Sequence, residues 1–577
     1  MKLKNYAHFL SPPSYGRGFM AILILAAALR LMGLSKGIWL DEASSIDLIT
    51  RTDFLAGLRN YDHPPLYFAM LRLWATINAG EPFLRLLSVG LSLGMVITVM
   101  RWLRRYSDVA SLLGGFLCAT MPVMLEYAHE IRNYALLLWG TALAFYFAER
   151  ILRQPDRWLG YIGLTVSLTV VVTTHLVGVL LLPAVGVFMG AYSITQARPF
   201  QIPRKLRNFA QGGSVTRRSW TGSGRFTERS YTTRNPYNNS EPGKISGISN
   251  VGQYNLSASQ NKPWTPLRRL VPVFALPTIA FLYLFFVFLP NHLQQRTVDS
   301  WWMPSASIPQ VLKTFKYLSG LPSLFGDISV SNAVFTPLGF GLLAISLIVF
   351  APLLLGDWRQ STPMLVTALT YWAGLLFMSM ALAPVFIART ALPGLIPLIG
   401  FISVQIATIP TWTPQLAADI PGLSRGLRWL PLAGLLLINL VTIPAWVRHD
   451  AWTPVERWQP IAETLAQYRQ PDDLVVFYPG YNEAPTRYYY PADLPPESVV
   501  TIWIGGTSKK LDFLRQLVAK IAAQERPAAV YLVLRDDQNV ANEAPIYAEM
   551  SDLLESTFGP PTELVREGNL QVWQYHR

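Results

Sequence analysis

Charge is what this sequence has least of. Only 14% of its 577 residues are Asp, Glu, Lys or Arg, while 51% are apolar. A soluble domain carries about 25% charged residues, so the deficit excludes an ordinary water-soluble body. Cysteine is scarcer still. Cys118 stands alone inside an apolar block, so neither an intrachain disulfide nor a cysteine-built metal centre is available. The C-terminal region lacks a Gly-rich phosphate loop, which argues against a nucleotide site there. No internal repeat is visible and no charged residue sits at the centre of an apolar block, so the marks of an ion-coupled transporter are missing.

What the chain does have is apolar blocks of roughly 20 residues, the length that crosses a bilayer core about 30 Å thick. Lipid offers no partner for free backbone groups, so each block must be helical. Hydropathy predicts about eleven spans, near residues 18–34, 83–100, 108–125, 134–151, 158–174, 177–195, 270–290, 333–355, 362–383, 391–410 and 429–447. The first has Lys2, Lys4 and Arg17 before it but no small-residue cleavage pattern after it, and Arg30 interrupts it. It reads as a retained span, not a removed signal.

The net charge of +13 is unevenly placed. Residues 196–270 hold 13 Lys/Arg and 2 Asp/Glu, whereas residues 448–577 hold 12 and 18. Arg101, Arg104 and Arg105, then Arg150, Arg153 and Arg157, then the basic segment, then Arg359, then Arg425 and Arg428 fall in alternate loops. The positive-inside rule puts all five in the cytoplasm, with the N-terminus cytoplasmic and the C-terminal region outside. In a soluble protein a pI near 9.6 suggests nucleic acid. Here the basic loop faces anionic lipid instead, and no nucleic-acid partner is expected. Residues 196–269 are rich in Ser, Gly, Asn, Thr and Arg and are expected to be disordered.

These signals divide the chain into a transmembrane domain, 1–447, and a C-terminal extracytoplasmic α/β domain, 448–577. In the latter a helix is predicted over 454–469, with Trp458, Ile461, Leu465 and Tyr468 on one face. Strands follow at 474–478, 499–504 and 529–534, with a helix over 509–523. A final hairpin turns at Glu567-Gly568-Asn569.

The chemistry is concentrated in the outer loops. The first, residues 35–82, opens GIWLDEASSIDL and continues NYDHPPLYF, then EPFLRLLS. Asp41 and Glu42 sit just past the first span, before an amphipathic stretch over 43–58. A solvated juxtamembrane pair is the plain alternative. Sugar transfer from a phosphate carrier needs a general base on the acceptor and cations for the leaving phosphate. Asp41 is the candidate base, and Glu42 either orients the acceptor or holds the loop. Asp62, His63, Tyr67, His129, Glu130 and Tyr134 are candidates for acceptor contact. Arg85, Arg132, Arg389, Lys313 and Lys316 are candidates for the lipid phosphate, guanidinium being well matched to it. Snorkelling to the interface is the simpler reading of Arg389. The long outer loop also carries His292, Arg296 and the anchor Trp301-Trp302. A divalent metal stays open, since His63, His129 and His175 all lie in outer loops.

At LDE (40–42), HPPLYF (63–68), EPFLRLLS (81–88), EIRNYALL (130–137) and PVFIART (384–390) the chain resembles membrane glycosyltransferases of the GT-C class. Within that class it is most similar to bacterial proteins of the protein O-mannosyltransferase and aminoarabinose transferase superfamily. The resemblance covers mostly the first 150 residues and one later turn. It implies a polytopic α-helical GT-C-like fold in the bacterial plasma membrane. It also implies a polyprenyl-phosphate sugar as donor, undecaprenyl or decaprenyl monophosphate being the carrier. By the same resemblance Asp41, with Glu42 beside it, acts on the acceptor, outer-loop arginines contact the phosphate, and the transfer is an inverting single displacement. The basic insertion is not a feature of that family, and the C-terminal domain is unlike that of oligosaccharyltransferases. The acceptor therefore stays open among glycan, lipid and protein. A flippase or other lipid-sugar transporter, and a surface-polysaccharide polymerase or ligase, remain as alternatives.

Overall fold

The computed structural model describes residues 12–59, 61, 63–197, 265–295, 306–319, 350–382, 384–409, 429–449, 455–492, 494–502, 517–521, 527–536 and 544–576. Asp62, Arg296, Trp301-Trp302, most of the basic segment 196–269, most of the span expected at 333–355 and most of the helix expected at 509–523 lie outside the described residues.

The membrane body runs α1 (Pro12–Leu31), α2 (Leu40–Thr50), α3 (Phe54–Arg59), α4 (Leu66–Ala75), α5 (Glu81–Leu103), α6 (Asp108–Thr120), α7 (Pro122–Glu126), α8 (Tyr134–Arg153) and α9 (Trp158–Thr174). It continues with α10 (Leu181–Ala197), α11 (Thr265–Gln295), α12 (Ile308–Leu318), α13 (Trp358–Ala381), α14 (Ala388–Ala391), α15 (Leu395–Thr408) and α16 (Trp429–His449). Among the described residues 8 helices are long and apolar enough to cross a membrane. They match eight of the expected spans. The expected spans at 108–125 and 158–174 are real but shorter apolar helices. Ile24, Ile162, Ile279, Phe377 and Leu437 project outward, as lipid-facing side chains should when the solvent is hydrocarbon.

The span expected at 108–125 breaks for a local reason. Pro122 has no N–H, so the carbonyl four residues back, Cys118 O, loses its helical donor. Arg30, fully buried, supplies the replacement. Its Nη2 donates to Cys118 O at 2.8 Å and its Nη1 to Ala119 O at 3.1 Å, while its Nε reaches Ser92 Oγ. Three helices are pinned by one guanidinium. Nearby, Gly114 and Gly115 leave no room for a Cβ against Leu103 and Met100, which lets α6 lie close on α5.

The C-terminal domain holds α17 (Trp458–Tyr468), β1 (Leu474–Tyr478), α18 (Glu483–Tyr489), β2 (Val499–Thr501), β3 (Ala529–Arg535), α19 (Ala544–Phe558), β4 (Thr562–Glu567) and β5 (Leu570–His576). The strand order is β2-β1-β3-β5-β4. The first three strands are parallel, and β5 runs antiparallel to both β3 and β4. The carboxyl ends of the parallel strands are where α/β sheets place functional side chains. Here Arg535 ends β3. Strands β1 and β3 are buried nearly throughout, as expected where helices cover both faces.

Candidate functional site

The site starts at α2. The sequence reading began this helix at residue 43, but it begins at Leu40, so Asp41 and Glu42 occupy its first turn. Consecutive helical residues point about 100° apart, and the two carboxylates separate accordingly. Glu42 turns inward and is fully buried. Its Oε2 pairs with Arg85 Nη2 at 2.6 Å, and its Oε1 accepts from Arg85 Nε and from the Ile131 amide, both at 2.9 Å. Asp41 turns the other way and keeps 22% of its side chain exposed.

Two arginines meet Asp41. Arg389 Nη1 lies 2.7 Å from its Oδ2 and Arg132 Nη2 3.5 Å from the same oxygen. Burial works to raise the Asp41 carboxyl, but Arg132 and Arg389, with Arg535 behind them, outweigh it and hold it below the usual carboxylate range. Arg389 is presented by the short α14. That turn is tied down by Tyr371, whose hydroxyl donates to Thr390 O, and by Trp372, whose indole donates to Ala391 O. Arg132 is locked differently: Nη1 reaches Tyr61 Oη at 2.9 Å and Ser45 Oγ at 3.3 Å, and Nη2 meets His63 Nε2 at 2.8 Å.

Aromatic rings wall the same region. His63 and His175 lie 4.8 Å apart, and Tyr134 lies 5.9 Å from His175. Burial, helped by Arg132 and Arg389, pushes the His175 imidazole down to about 3, so it is neutral, and its Nδ1 accepts from Val177 N. Glu130 is buried close enough to feel the Asp41 charge, and burial together with Glu126 and Glu42 pushes its carboxyl well up. His129, stacked on Trp446 at 5.7 Å, is neutral too, driven far down by burial and by the charges of Lys36, Arg85 and Arg30. Among the described residues no three His, Cys, Asp or Glu side chains gather as metal ligands would. His63 faces an arginine and His175 a backbone amide.

Arg85, the expected contact of the lipid phosphate, has all five of its N–H groups engaged. Beyond Glu42 they go to the carbonyls of Leu34, Lys36 and Gly37, so it anchors α2 to α5. Tyr67, expected at the acceptor, is fully buried and its hydroxyl meets Ser88 Oγ at 3.0 Å. Lys313 and Lys316 lie on α12, whose Tyr317 donates to Glu126 and whose Gln310 reaches Phe386 O. That contact sets α12 beside the turn bearing Arg389. His292 falls on α11.

The sequence reading missed Tyr61, Glu456, Tyr489 and Arg535. Glu456 Oε2 accepts from Leu40 N at 3.0 Å, and Tyr489 Oη accepts from Ile38 N at 2.8 Å. Both join the C-terminal domain to the start of α2. No local signal marks them, because the partners are more than 400 residues away in sequence.

Residues 62–201 match the family described as dolichyl-phosphate-mannose-protein mannosyltransferase. Among solved structures the chain is similar to ArnT of Cupriavidus metallidurans in the apo state, with TM-score 0.52 and 13% identity over 97% of this chain and 98% of that one. It is similar also to ArnT of the same organism bound to undecaprenyl phosphate, with TM-score 0.51 and 14% identity over 98% of each chain. No curated protein matches it in sequence.

Proposed function

We propose that this chain, a multi-pass membrane protein with the fold of the GT-C class of glycosyltransferases, transfers a sugar from a polyprenyl monophosphate to an acceptor at the outer face of a bacterial plasma membrane. The observation that carries the reading is one carboxylate, Asp41, held between Arg389 and Arg132. It supplies a base and two cations within one side chain's reach. The match of residues 62–201 to a mannosyltransferase family, and the undecaprenyl phosphate in the similar ArnT structure, support a carrier of that chemistry.

In this reading the donor phosphate competes with Asp41 for the guanidinium groups. As phosphate oxygens engage Arg389 and Arg132, the carboxylate is released and becomes more basic. It then takes the proton from an acceptor hydroxyl or amine as that group attacks the anomeric carbon. The bond from that carbon to the phosphate oxygen breaks, and the leaving polyprenyl phosphate carries the electron pair into the arginine pair. Configuration inverts. Glu130, nearby, lies within reach of the sugar or acceptor, and His63, Tyr61 and Tyr134 shape the pocket around it. Lys313 and Lys316 on α12 add positive charge toward the lipid headgroup layer.

The test is direct. The purified chain in lipid nanodiscs is given a panel of undecaprenyl-phosphate sugars with glycan, lipid A and peptide acceptors, and transfer is followed by mass. The parent chain transfers one of these sugars. Asp41→Asn lowers the rate by about 10²–10⁴-fold, the usual worth of a general base, while still binding undecaprenyl phosphate. Full activity in Asp41→Asn, or movement of the intact donor across the bilayer without transfer, overturns the proposal.

A further inference from the structure

The amino end of α2 is completed by the C-terminal domain. An α-helix leaves its first N–H groups without intrahelical partners, and α2 has no Ser, Thr, Asp or Asn in the capping position, which Trp39 occupies. Within the membrane domain Glu42 reaches back only to Trp39 N, at 3.4 Å. The Leu40 amide is met instead by Glu456, whose carboxylate is almost fully buried. The same carboxylate accepts from Trp458 Nε1 at 2.7 Å and pairs with Arg535 Nη1 at 2.8 Å. A negative charge at a helix amino end is favourable, and here it arrives from a segment more than 400 residues downstream. Arg535, at the carboxyl end of β3, lies over the Tyr481 ring at 5.6 Å.

We propose that Glu456 and Arg535 are positioning residues for the Asp41 carboxylate. Glu456 fixes where α2 begins and so where Asp41 points, and Arg535 holds the Glu456 carboxylate at that helix end. The inference rests on the reading of Asp41 as the base. Arg132, from the turn before α8, and Arg389, from α14, meet Asp41 directly, whereas Arg535 of β3 acts on it through Glu456 and α2. The sheet thereby bears on the reaction without any of its side chains reaching the sugar.

The experiment uses the full chain in nanodiscs, with Glu456→Gln, Arg535→Met and Arg535→Lys. Hydrogen–deuterium exchange over residues 38–43 reads the helix start. Glu456→Gln is expected to exchange about tenfold faster there, the scale of a lost N-cap, with the remaining peptides unchanged. In transfer assays with whichever undecaprenyl-phosphate sugar the parent chain uses, its kcat falls about tenfold while KM stays within about twofold. Arg535→Met is expected to raise exchange over residues 38–43 as Glu456→Gln does, and Arg535→Lys to restore it. A merely structural salt bridge would lower the melting temperature and leave both that exchange and kcat in place. Unchanged exchange at residues 38–43 in Glu456→Gln overturns the Glu456 half, and unchanged exchange there in Arg535→Met overturns the other. If Glu456→Gln does not fold, Glu456→Asp, with its carboxylate withdrawn by one methylene, is read in the same way. Full activity in Asp41→Asn strikes the parent reading alone, since the exchange measurement still decides the role of Glu456.

Discussion

Asp41 and Glu42 are neighbours of the same chemistry, and their surroundings give them opposite work. Glu42 has no exposed surface and answers a guanidinium whose other N–H groups end on carbonyls. Removing one partner of a buried pair strands the other, at a cost of about 3–5 kcal/mol. Glu42→Ala is therefore expected to lower the thermal unfolding midpoint steeply or to abolish accumulation of the protein, as Arg85→Ala also should. Asp41→Asn should leave the midpoint within a few degrees and remove turnover. Scanning fluorimetry on the four proteins separates the two carboxylates, and equal loss of stability in both would refute the division. The pH dependence carries a sign. The folded Asp41 carboxyl lies below its ordinary value, despite burial, because Arg132 and Arg389 face it. Its contribution to stability is thus present above the unfolded value and lost as pH falls through the folded one. As a base it must be ionised, so the acid limb of kcat/KM, which reports the free protein, lies below the ordinary Asp value of about 3.9. Arg389→Met is expected to shift that limb upward while also lowering kcat. A limb that stays in place would mean that another group titrates.

At the scale of the element, the break between α6 and α7 shows how one proline recruits a distant cation. Pro122 deprives Cys118 O of its donor, and Arg30 answers from α1. Without Arg30 the Cys118 and Ala119 carbonyls would be left in an apolar interior, and an unsatisfied buried group costs about 1–3 kcal/mol. Arg30→Met is expected to lower the melting temperature by more than the exposed Arg157→Met, and Pro122→Ala on top of it should recover part of the loss by returning an N–H. No recovery in the double variant would sink the account. The sequence shows Arg30 as an interruption of an apolar run, and it shows Pro122. It does not show that they answer one another, because helix packing, not spacing, brings residues 30 and 118 together. The start of α2 was hidden for a similar reason. Trp39 is a poor capping residue by local rules, so the periodic signal alone began the helix three residues late, and Glu456, the true partner of Leu40, belongs to another domain.

Across the whole molecule, the legible features were those set by the solvent. Lipid dictates apolar blocks of fixed length, and ten of the eleven expected spans fall on described apolar helices. The C-terminal strands were legible too, from their apolar runs, although α18 and α19 were not. Convergence was beyond the sequence. It gave Asp41, Arg132 and Arg389 as separate outer-loop residues, and folding brings them to one oxygen. It gave Arg85 the same standing, and folding buries it.

The expected topology makes a last prediction about sidedness. The segments assigned to the outside contact one another: residues 38–41 meet Arg132, Arg389, Glu456 and Tyr489. The basic turns do likewise, Arg105 reaching Tyr146 O, Arg269 reaching Pro155 O and Arg359 reaching Thr195 O. Since Cys118 is the sole cysteine of the chain and is buried, the parent protein gives a low background for thiol labelling. Leu55→Cys and Glu463→Cys place exposed thiols beside α2 and in the C-terminal domain, and Arg157→Cys places one on a basic turn. A membrane-impermeant maleimide applied to intact spheroplasts is expected to label the first two and not the third, which reacts only after permeabilisation. Labelling of Arg157→Cys from outside would invert the topology and move Asp41 to the cytoplasmic face. Labelling of Leu55→Cys without Glu463→Cys would put the membrane between two segments that a buried carboxylate joins, and so contradict the Glu456 contact itself.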